Sequence, residues 1–283
     1  MKNLKHKKLI VILLILVLIA VVIIVPCKVA PTVSDGLSLS SRSDSAPLMV
    51  AHRGFSAVCP DNTHSAFYAA VEAGFDGYEF DIHTTKDGQW VVIHDDTVDR
   101  MTDGTGNVED FTLEEILKLT VDAGNGNEDL EYLAEKPTVP TLADALYYAQ
   151  EYDIFPVIEI KKCDMQYLSS LKEYLDETKL SEKAVIISFT REYLEEYRKL
   201  DGETDMMLLS HSPSKEDVEW CLDYSAGLNF NHKNLYKCFS AVGYAKEKGV
   251  KIAAWTVDNT VYKDVMVLFG AQVITSNKIV PVD

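Results

Sequence analysis

Short apolar runs alternate with amphipathic stretches along most of the chain, a pattern typical of repeated strand–helix units. Extended apolar runs predict nine strands, at 48–51, 78–82, 90–93, 155–160, 184–189, 206–209, 228–230, 251–257 and 272–275. Helical patterns separate most of them, at 62–73, 142–151, 165–178, 191–200, 215–222, 235–248 and 261–269. Such alternation predicts an α/β fold of the TIM-type (β/α)8 barrel class, with a doubly wound sheet as the alternative.

Nine strands are one too many for this barrel, and the second and third are joined by turn residues rather than by a helix. The segment 85–88 reads Thr-Lys-Asp-Gly, which is hairpin chemistry. A turn made of Asp87 and Gly88 alone would place Asp81 opposite His94, and a three-residue turn would shift that register by one. Either way, we expect the hairpin arm to deliver a histidine close to a carboxylate at the barrel mouth.

The N-terminal segment has the features of a targeting or membrane-anchoring segment rather than of a folded domain. Four lysines within residues 1–8 precede an uncharged apolar run at 9–27, which is long enough to span a bilayer as a helix. The positive flank 1–8 is expected to stay cytoplasmic. Residues 28–46 are rich in serine and predict a flexible tether. We therefore expect a single transmembrane anchor and a catalytic domain, 47–283, outside the cytoplasm; a cleaved signal peptide would release the same domain.

The charge and the cysteine content of the chain limit the kinds of partner and of metal or disulfide site that we expect. The chain has 27 Lys and Arg against 44 Asp and Glu, a formal charge of −17. Phosphate repulsion makes so acidic a body a poor binder of nucleic acid, so we expect no nucleic-acid partner. Its five cysteines are too scattered to predict a disulfide framework or a Cys-x-x-Cys metal site.

Residues with acid–base, ligand and cationic side chains are concentrated at or near predicted strand ends. In a TIM-type barrel the carboxyl ends of the strands form the active site. Taken one at a time, these residues could be core, strand-edge or ion-pair residues, but their joint placement favours a site. They are His52 and Arg53, Glu79 and Asp81, His94, Glu159 and Lys161, and Trp255.

The combination is chemically coherent. Three converging carboxylates would repel one another unless a divalent cation lay between them, and oxygen ligands suit Ca²⁺ or Mg²⁺. Arg53 and Lys161 would then bind an anion, and a phosphate fits a guanidinium fork beside a point charge. Two histidines beside a phosphate suggest paired proton transfer, one ring accepting a proton and the other donating one.

At these residues the sequence resembles the glycerophosphodiester phosphodiesterase family. The resemblance covers roughly 48–283 and implies a TIM-type barrel that uses a metal to hydrolyse glycerophosphodiesters to glycerol 3-phosphate and an alcohol. It implies that Glu79, Asp81 and Glu159 hold the metal, His52 and His94 are the acid–base pair, Arg53 and Lys161 bind phosphate, and Trp255 lies near the glycerol. It is carried by Ala51-His52-Arg53-Gly54, Pro60-Asp61-Asn62-Thr63, Glu79-Phe80-Asp81, Thr85-Lys86-Asp87-Gly88, Val92-Ile93-His94-Asp95, Thr102-Asp103-Gly104-Thr105-Gly106, Ile158-Glu159-Ile160-Lys161 and Trp255-Thr256-Val257-Asp258.

Three features depart from the family pattern. Asp61 stands where the family usually has Glu before Asn-Thr, so it is not expected to be a metal ligand. The last strand ends in Thr275-Ser276-Asn277 rather than Thr-Asp, which affects a contact near the site more than the chemistry. The insertion that caps the barrel, at about 96–140, is short and is expected to hold one helix, at 113–119.

Several functions stay open from the sequence alone. A phospholipase C, phospholipase D or lysophospholipase D type of activity on membrane lipid would require an apolar rim, for which Phe55, Val58 and Phe111 are the candidates. A hydrolase of glycerol phosphate polymer in a bacterial wall is a further possibility. Outside enzymes, the alternative is an exported module that binds a sugar phosphate. The attacking group, glycerol 2-hydroxyl or water, and the histidine that acts first are also open.

Overall fold

The computed structural model describes residues 46–121 and 137–281. The predicted flank 1–8, the anchor 9–27 and nearly all of the tether 28–46 lie outside these residues. Within the described ranges, none of the helices has the length and apolar character needed to cross a bilayer.

Eight parallel strands close into a barrel, and a ninth strand lies antiparallel on one of them. The order around the barrel is β1, β2, then β4 to β9, and β1 pairs with both β2 and β9. This closure confirms the predicted TIM-type barrel and excludes the doubly wound sheet. The strands are β1 Leu48–Ala51, β2 Gly77–Thr84, β3 Trp90–Val92, β4 Phe155–Lys162, β5 Val185–Ser188, β6 Asp205–Ser210, β7 Gly227–Asn231, β8 Ile252–Trp255 and β9 Ala271–Ser276.

Helices connect the barrel strands, and their ends carry the expected caps. Thr141 and Asp144 form a capping box, for example, at the start of the helix after the insertion. The helix predicted at 113–119 is shorter, ending at Ile116. The helices are α1 His64–Glu72, α2 Leu113–Ile116, α3 Leu142–Glu151, α4 Leu168–Glu177, α5 Arg191–Leu200, α6 Lys215–Asp223, α7 Leu235–Lys248 and α8 Thr260–Leu268.

Side chains alternate between the inside and the outside of the barrel, as the two-residue period of a strand requires. Outward side chains pack against the helices in a large core, and the inward ones fill the barrel. Because the alternation continues to the strand ends, Glu159 and Lys161 stand on the same inward face as Phe155 and Val157. The inward apolar side chains are Leu48, Val50, Phe155, Val157, Val185, Ile187, Met207, Leu209, Ala253 and Val273.

The hairpin between β2 and β3 has a three-residue turn, so of the two registers that the sequence left open the shifted one is present, and Asp81 does not pair with His94. The amide of Thr85 donates to the carbonyl of Gln89 at 2.8 Å, and Gly88 has φ +74°, which suits the last position of such a turn. The register shifts by one, and the Ile93 amide donates to the Asp81 carbonyl at 3.0 Å. His94 therefore follows the residue that pairs with Asp81, and it still reaches the mouth.

The described part of the insertion packs as a small layer beside the hairpin arm. Its core comprises Val91, Ile93, Val98, Met101, Val108, Ile116, Val121 and Val139. This layer carries Arg100 toward the site described below. Residues 122–136 of the insertion lie outside the described residues.

Candidate active site

A cavity of about 320 Å³ lies at the carboxyl ends of the barrel strands. Seven of the eight predicted site residues line it, and the eighth, Asp81, is buried beside them. One side of the cavity is charged and the other is apolar and aromatic. The charged side holds His52, Arg53, Glu79, His94, Glu159 and Lys161, and the other side includes Ile187, Phe189, Leu209, His211 and Trp255.

Strand pairing brings the three acidic side chains together. Asp81 of β2 and Glu159 of β4 are direct register partners, and Glu79 lies two residues before Asp81 on the same face. One carboxylate oxygen from each lies within 4.8 Å of the others. All three residues are buried, so their charges are poorly screened by water.

This crowding changes the acidity of the carboxyl groups. Burial, followed by the charge on Asp81, raises the pKa of Glu159 to about 7, and the same causes raise the pKa of Glu79 well above its usual range. Burial by itself would raise the pKa of Asp81, but positive charge on Arg53, His94 and Lys161 lowers it. Without a bound cation, burial and mutual repulsion therefore disfavour the ionisation of all three carboxyl groups at once.

The three carboxylates fit a hard divalent cation. Oδ1 of Asp81 is buried and accepts no hydrogen bond from any residue that the structure describes. A bound cation would satisfy that atom and remove the repulsion among the three groups. Oxygen-only ligands are those that Ca²⁺ and Mg²⁺ prefer.

Two positively charged side chains, those of Arg53 and Lys161, lie at the edge of the acidic cluster. The Arg53 guanidinium donates to Asp61 at 2.9 Å and lies 3.5 Å from Asp81, while Nζ of Lys161 lies 2.9 Å from Glu159. Arg53 has a left-handed backbone, with φ +56°, and its amide donates to Glu79 at 2.8 Å. This backbone arrangement joins the phosphate-binding candidate directly to a metal-ligand candidate.

Gly54 follows Arg53 because the turn leaves no room for a side chain. Its φ is +73°, and a Cβ atom would lie 2.6 Å from the backbone of Ala66. The glycine of the His-Arg-Gly motif thus lets α1 approach the end of β1 closely.

His52 is oriented by an amide rather than by a carboxylate. Asn277 donates to Asp258 twice, from its backbone amide at 2.8 Å and from Nδ2 at 2.7 Å, so its side-chain oxygen faces His52. Nδ1 of His52 lies 2.8 Å from that oxygen and therefore carries the hydrogen. Burial and the charge on Arg53 lower the pKa of His52 to about 4, which leaves Nε2 unprotonated at neutral pH.

His94 has a carboxylate partner instead. Its Nδ1 lies 2.6 Å from Asp95, and its Nε2 lies 3.3 Å from Nζ of Lys161. Arg100 donates to Asp95 at 2.6 Å. Burial alone would raise the pKa of Asp95, but the hydrogen bonds from Arg100 and His94 lower it to about 2. Asp95 is therefore an anion that stabilises positive charge on the His94 ring.

Several residues outside the predicted set of site residues support the site. Arg100 joins Asp61 to Asp95, with both contacts to Asp61 at 3.3 Å. Asn62, which has φ +58°, binds Asp81 through both ends of its amide. Asp61 binds two arginines, Arg53 and Arg100. The positive φ of Asn62 and the distant contacts of Arg100 leave no periodic signal in the sequence.

The aromatic side of the cavity is a three-ring cluster around Trp255. The rings of Phe189 and His211 stack at 5.0 Å, and Trp255 meets them edge-on at 5.6 Å and 5.3 Å respectively. Trp255 was predicted from the sequence, whereas Phe189 and His211 were not, because they follow β5 and β6 as ordinary inward positions. Together the rings form a wall opposite the acidic cluster.

The apolar rim suggested by the sequence is not present at the predicted residues. Phe55 packs edge-on against Phe75 at 5.3 Å, and Val58 packs on a small core beside α1. Phe111 packs against the core of the insertion. These side chains serve internal packing, so the feature expected for an activity on membrane lipid is absent at all three.

A closed barrel with a carboxylate cluster between two histidines at its mouth defines the class of TIM-barrel phosphodiesterases. Residues 52–280 match the model of the glycerophosphoryl diester phosphodiesterase family. The chain belongs to this family, as the resemblance in its motifs predicted, and it is an enzyme of the phosphoric diester hydrolase type.

Relatives and solved structures agree with this assignment. The chain is 36% identical over 219 residues to a glycerophosphodiester phosphodiesterase of Caldanaerobacter subterraneus subsp. tengcongensis, covering 75% of this chain and 86% of that one. It is 30% identical over 239 residues to human glycerophosphodiester phosphodiesterase 1, covering 74% of this chain and 71% of that one. Its fold matches an Oleispira antarctica phosphodiesterase in complex with the product sn-glycerol-3-phosphate, with a TM-score of 0.73, 24% identity and coverage of 82% and 93%.

Proposed function

We propose that this chain hydrolyses glycerophosphodiesters to glycerol 3-phosphate and an alcohol, with a divalent cation, Ca²⁺ or Mg²⁺, and two histidines as the acid–base pair. The observation that carries the proposal is the meeting of Glu79, Asp81 and Glu159 within 4.8 Å, in the cavity that His52 and His94 also line. The names of the relatives, and the product bound to the Oleispira antarctica enzyme, support the substrate class.

Glu79, Asp81 and Glu159 are the residues that would hold the cation. When bound, it would neutralise charge on the phosphate and lower the pKa of the attacking hydroxyl. Arg53 and Lys161 flank the acidic cluster and bind the remaining phosphate oxygens, the first as a fork and the second as a point charge. Trp255 presents an apolar face to the carbon atoms of the glycerol.

The two histidines differ in their partners, and the difference suggests their order of action. His52, neutral and fixed by Asn277, offers the Nε2 lone pair and accepts the proton of the attacking hydroxyl. His94, with the Asp95 carboxylate behind it, carries the proton that the departing alkoxide needs. This division follows the rule that neighbouring groups tune two chemically identical residues to opposite tasks.

The simplest sequence of bonds uses the substrate's own hydroxyl. The glycerol 2-hydroxyl loses its proton to His52 and forms a bond to phosphorus, while the bond to the leaving alcohol breaks and that oxygen takes a proton from His94. Water then opens the cyclic phosphate, with the two histidines in exchanged roles. Direct attack by water uses the same residues and gives the same final products.

The location of the enzyme is a separate proposal, which rests on the sequence. The basic flank 1–8 and the apolar run 9–27 suggest a single-pass anchor with the catalytic domain outside the cytoplasm. Protease treatment of intact cells tests it. Digestion of the catalytic domain on the outer side of the membrane agrees with the proposal, and digestion only after lysis contradicts it.

A substrate panel tests the proposed activity. The purified chain would be given glycerophosphocholine, glycerophosphoethanolamine, a lysophospholipid and a poly(glycerol phosphate), and the phosphorus-containing product would be identified. That product is glycerol 3-phosphate from the soluble diesters or the polymer, and lysophosphatidic acid or a phosphorylated head group from the lysophospholipid. We expect turnover of the two soluble diesters. Preference for the lysophospholipid or the polymer would reassign the substrate, and binding of glycerol 3-phosphate without turnover of any member would indicate a binding module.

A further inference from the structure

The four most exposed large hydrophobic side chains among the described residues lie on two neighbouring helices. They are Tyr236 at 76%, Val261 at 66%, Phe239 at 59% and Tyr262 at 55% exposure, and we name them the α7–α8 face. Tyr236 and Phe239 are one turn apart on α7, and Val261 and Tyr262 start α8. Such a group of exposed apolar side chains indicates an interaction surface.

Tyr236, Val261 and Tyr262 lie near the mouth end of the barrel, and Phe239 lies one turn further along α7, where its ring meets that of Phe269 at 5.2 Å. Helices α7 and α8 follow the adjacent strands β7 and β8, so both begin at the rim onto which the catalytic cavity opens. The ring of Tyr262, in the first turn of α8, lies 5.5 Å from that of His232, in the short 3₁₀ turn that leads into α7, so the two helices begin close to each other. A partner on this face would lie beside the entrance to the active site.

The α7 side of the face is basic, although the chain as a whole is acidic. Residues 232–239, which include Tyr236 and Phe239, hold two lysines and no acidic residue, whereas the whole chain has a formal charge of −17. Lys233 and Lys237 are exposed at the start of α7, and Nζ of Lys237 lies 5.4 Å from the ring centroid of Tyr236. Apolar and cationic side chains therefore share one patch.

We propose that the α7–α8 face docks on an anionic lipid bilayer. Aromatic rings and lysines are suited to the headgroup boundary, where the rings contact acyl carbon and the ammonium groups meet anionic headgroups. A soluble polyanion would match the lysines but leave the four apolar side chains in water. A lipid surface accounts for both features, and it places the barrel mouth next to the membrane.

Hydroxyl-radical footprinting of the full-length chain on lipid nanodiscs tests the proposal. The discs would contain phosphatidylcholine alone or mixed with phosphatidylglycerol, and oxidation would be read by mass spectrometry. We expect Tyr236, Phe239 and Tyr262 to oxidise at least about twofold more slowly on the anionic discs, because seated side chains lose contact with water. Tyr147, 52% exposed on α3, is the internal control and keeps its rate.

Charge variants complete the test. Lys233→Glu with Lys237→Glu removes the protection, while Lys246→Glu with Lys248→Glu, the same change at the other end of α7, retains it. Equal oxidation on both kinds of disc overturns the proposal, whatever holds the chain to the disc. Protection that grows with protein concentration in the absence of lipid also overturns it, because a second copy of the chain would then cover the face.

Discussion

The side-chain oxygen of Asn277 lies 2.8 Å from Nδ1 of His52, across 225 residues of sequence. Asp258 accepts from both nitrogens of Asn277, so the amide cannot turn without losing a hydrogen bond to a carboxylate. The hydrogen on the His52 ring is thereby held at Nδ1, and Nε2 is left as the proton acceptor in the cavity. This pair stands where the strand end departs from the family pattern.

Replacing Asn277 by alanine should lower turnover more than substrate binding. The variant loses the acceptor that orients His52, while Arg53 and Lys161, the residues proposed to bind phosphate, stay in place. We expect kcat to fall by roughly 10-fold to 100-fold, the usual range for losing a group that orients a site residue, with little change in KM. Steady-state kinetics on glycerophosphoethanolamine measure both constants.

Two further variants control for a general disturbance of the site. Ser56 also donates to the Asn277 oxygen, at 3.1 Å, and Ser56→Ala leaves the contact between Asn277 and His52 in place, so it should have a small effect. Asn277→Asp combined with Asp258→Asn exchanges donor and acceptor and should recover much of the rate. An unchanged kcat in Asn277→Ala, or a rise in KM alone, would contradict the role assigned to the amide.

The two histidines should respond differently to the leaving group. His52→Ala and His94→Ala should each lower turnover of an alkyl diester by at least about 100-fold, the low end for losing acid–base help. The p-nitrophenyl ester of glycerol 3-phosphate has a leaving group that needs no proton. Release of p-nitrophenolate, which precedes opening of the cyclic phosphate, should therefore regain much of its rate in His94→Ala but not in His52→Ala. The opposite pattern would exchange the two roles, and rates like those of the unmodified chain in both variants would reject the pair.

Glu159 should make the chelated protein less stable as pH rises. Its pKa is about 7 in the folded chain and near 4.5 when unfolded, so the folded state binds the extra proton between those values. That contribution is complete below about pH 4.5 and is lost as pH rises through about 7, because the unfolded state then releases its proton at lower cost. Between pH 5 and 8 the loss should be on the order of 2 kcal/mol in the free energy of unfolding.

Urea unfolding of chelated protein at pH 5 and pH 8 measures this loss. Glu159→Gln carries no charge at either pH and should lose less stability over the same interval. Glu151→Gln, at an exposed position on α3, is the matched control and should behave like the unmodified chain. Parallel pH profiles for the unmodified chain and Glu159→Gln would contradict the raised pKa.

The acidic cluster could be predicted from the sequence because it depends on short-range periodicity. Glu79 and Asp81 share a face by the two-residue period, and a parallel barrel puts the end of β4 beside the end of β2. The glycine and turn residues around 85–88 similarly indicated a hairpin. The register of that hairpin could not be fixed, because the choice of a two- or three-residue turn moves every pair by one and both suit the same four residues.

The contacts that orient the histidines could not be predicted. Asn277 and His52 come together only because β9 closes the barrel against β1. The spacing of residues along the sequence does not indicate which strand ends will meet at this closure. Arg100 likewise reaches Asp61 and Asp95 from the insertion, where the pattern is irregular. Phe189 and His211 occupy inward positions that ordinary core residues would also occupy. Their contact with Trp255 is therefore seen only in the structure, where the three rings pack together.

We infer that the acidic cluster and the two imidazoles act as one metal-dependent site. The most direct test of this inference is phosphorus NMR of glycerophosphoethanolamine turned over by the full-length chain before chelation, after exhaustive chelation and after return of Ca²⁺ or Mg²⁺. We expect glycerol 3-phosphate to form, to stop forming on chelation and to form again with the metal, while Glu79→Gln stays inactive throughout. An undiminished rate after chelation, or phosphoethanolamine as the product, would contradict the account.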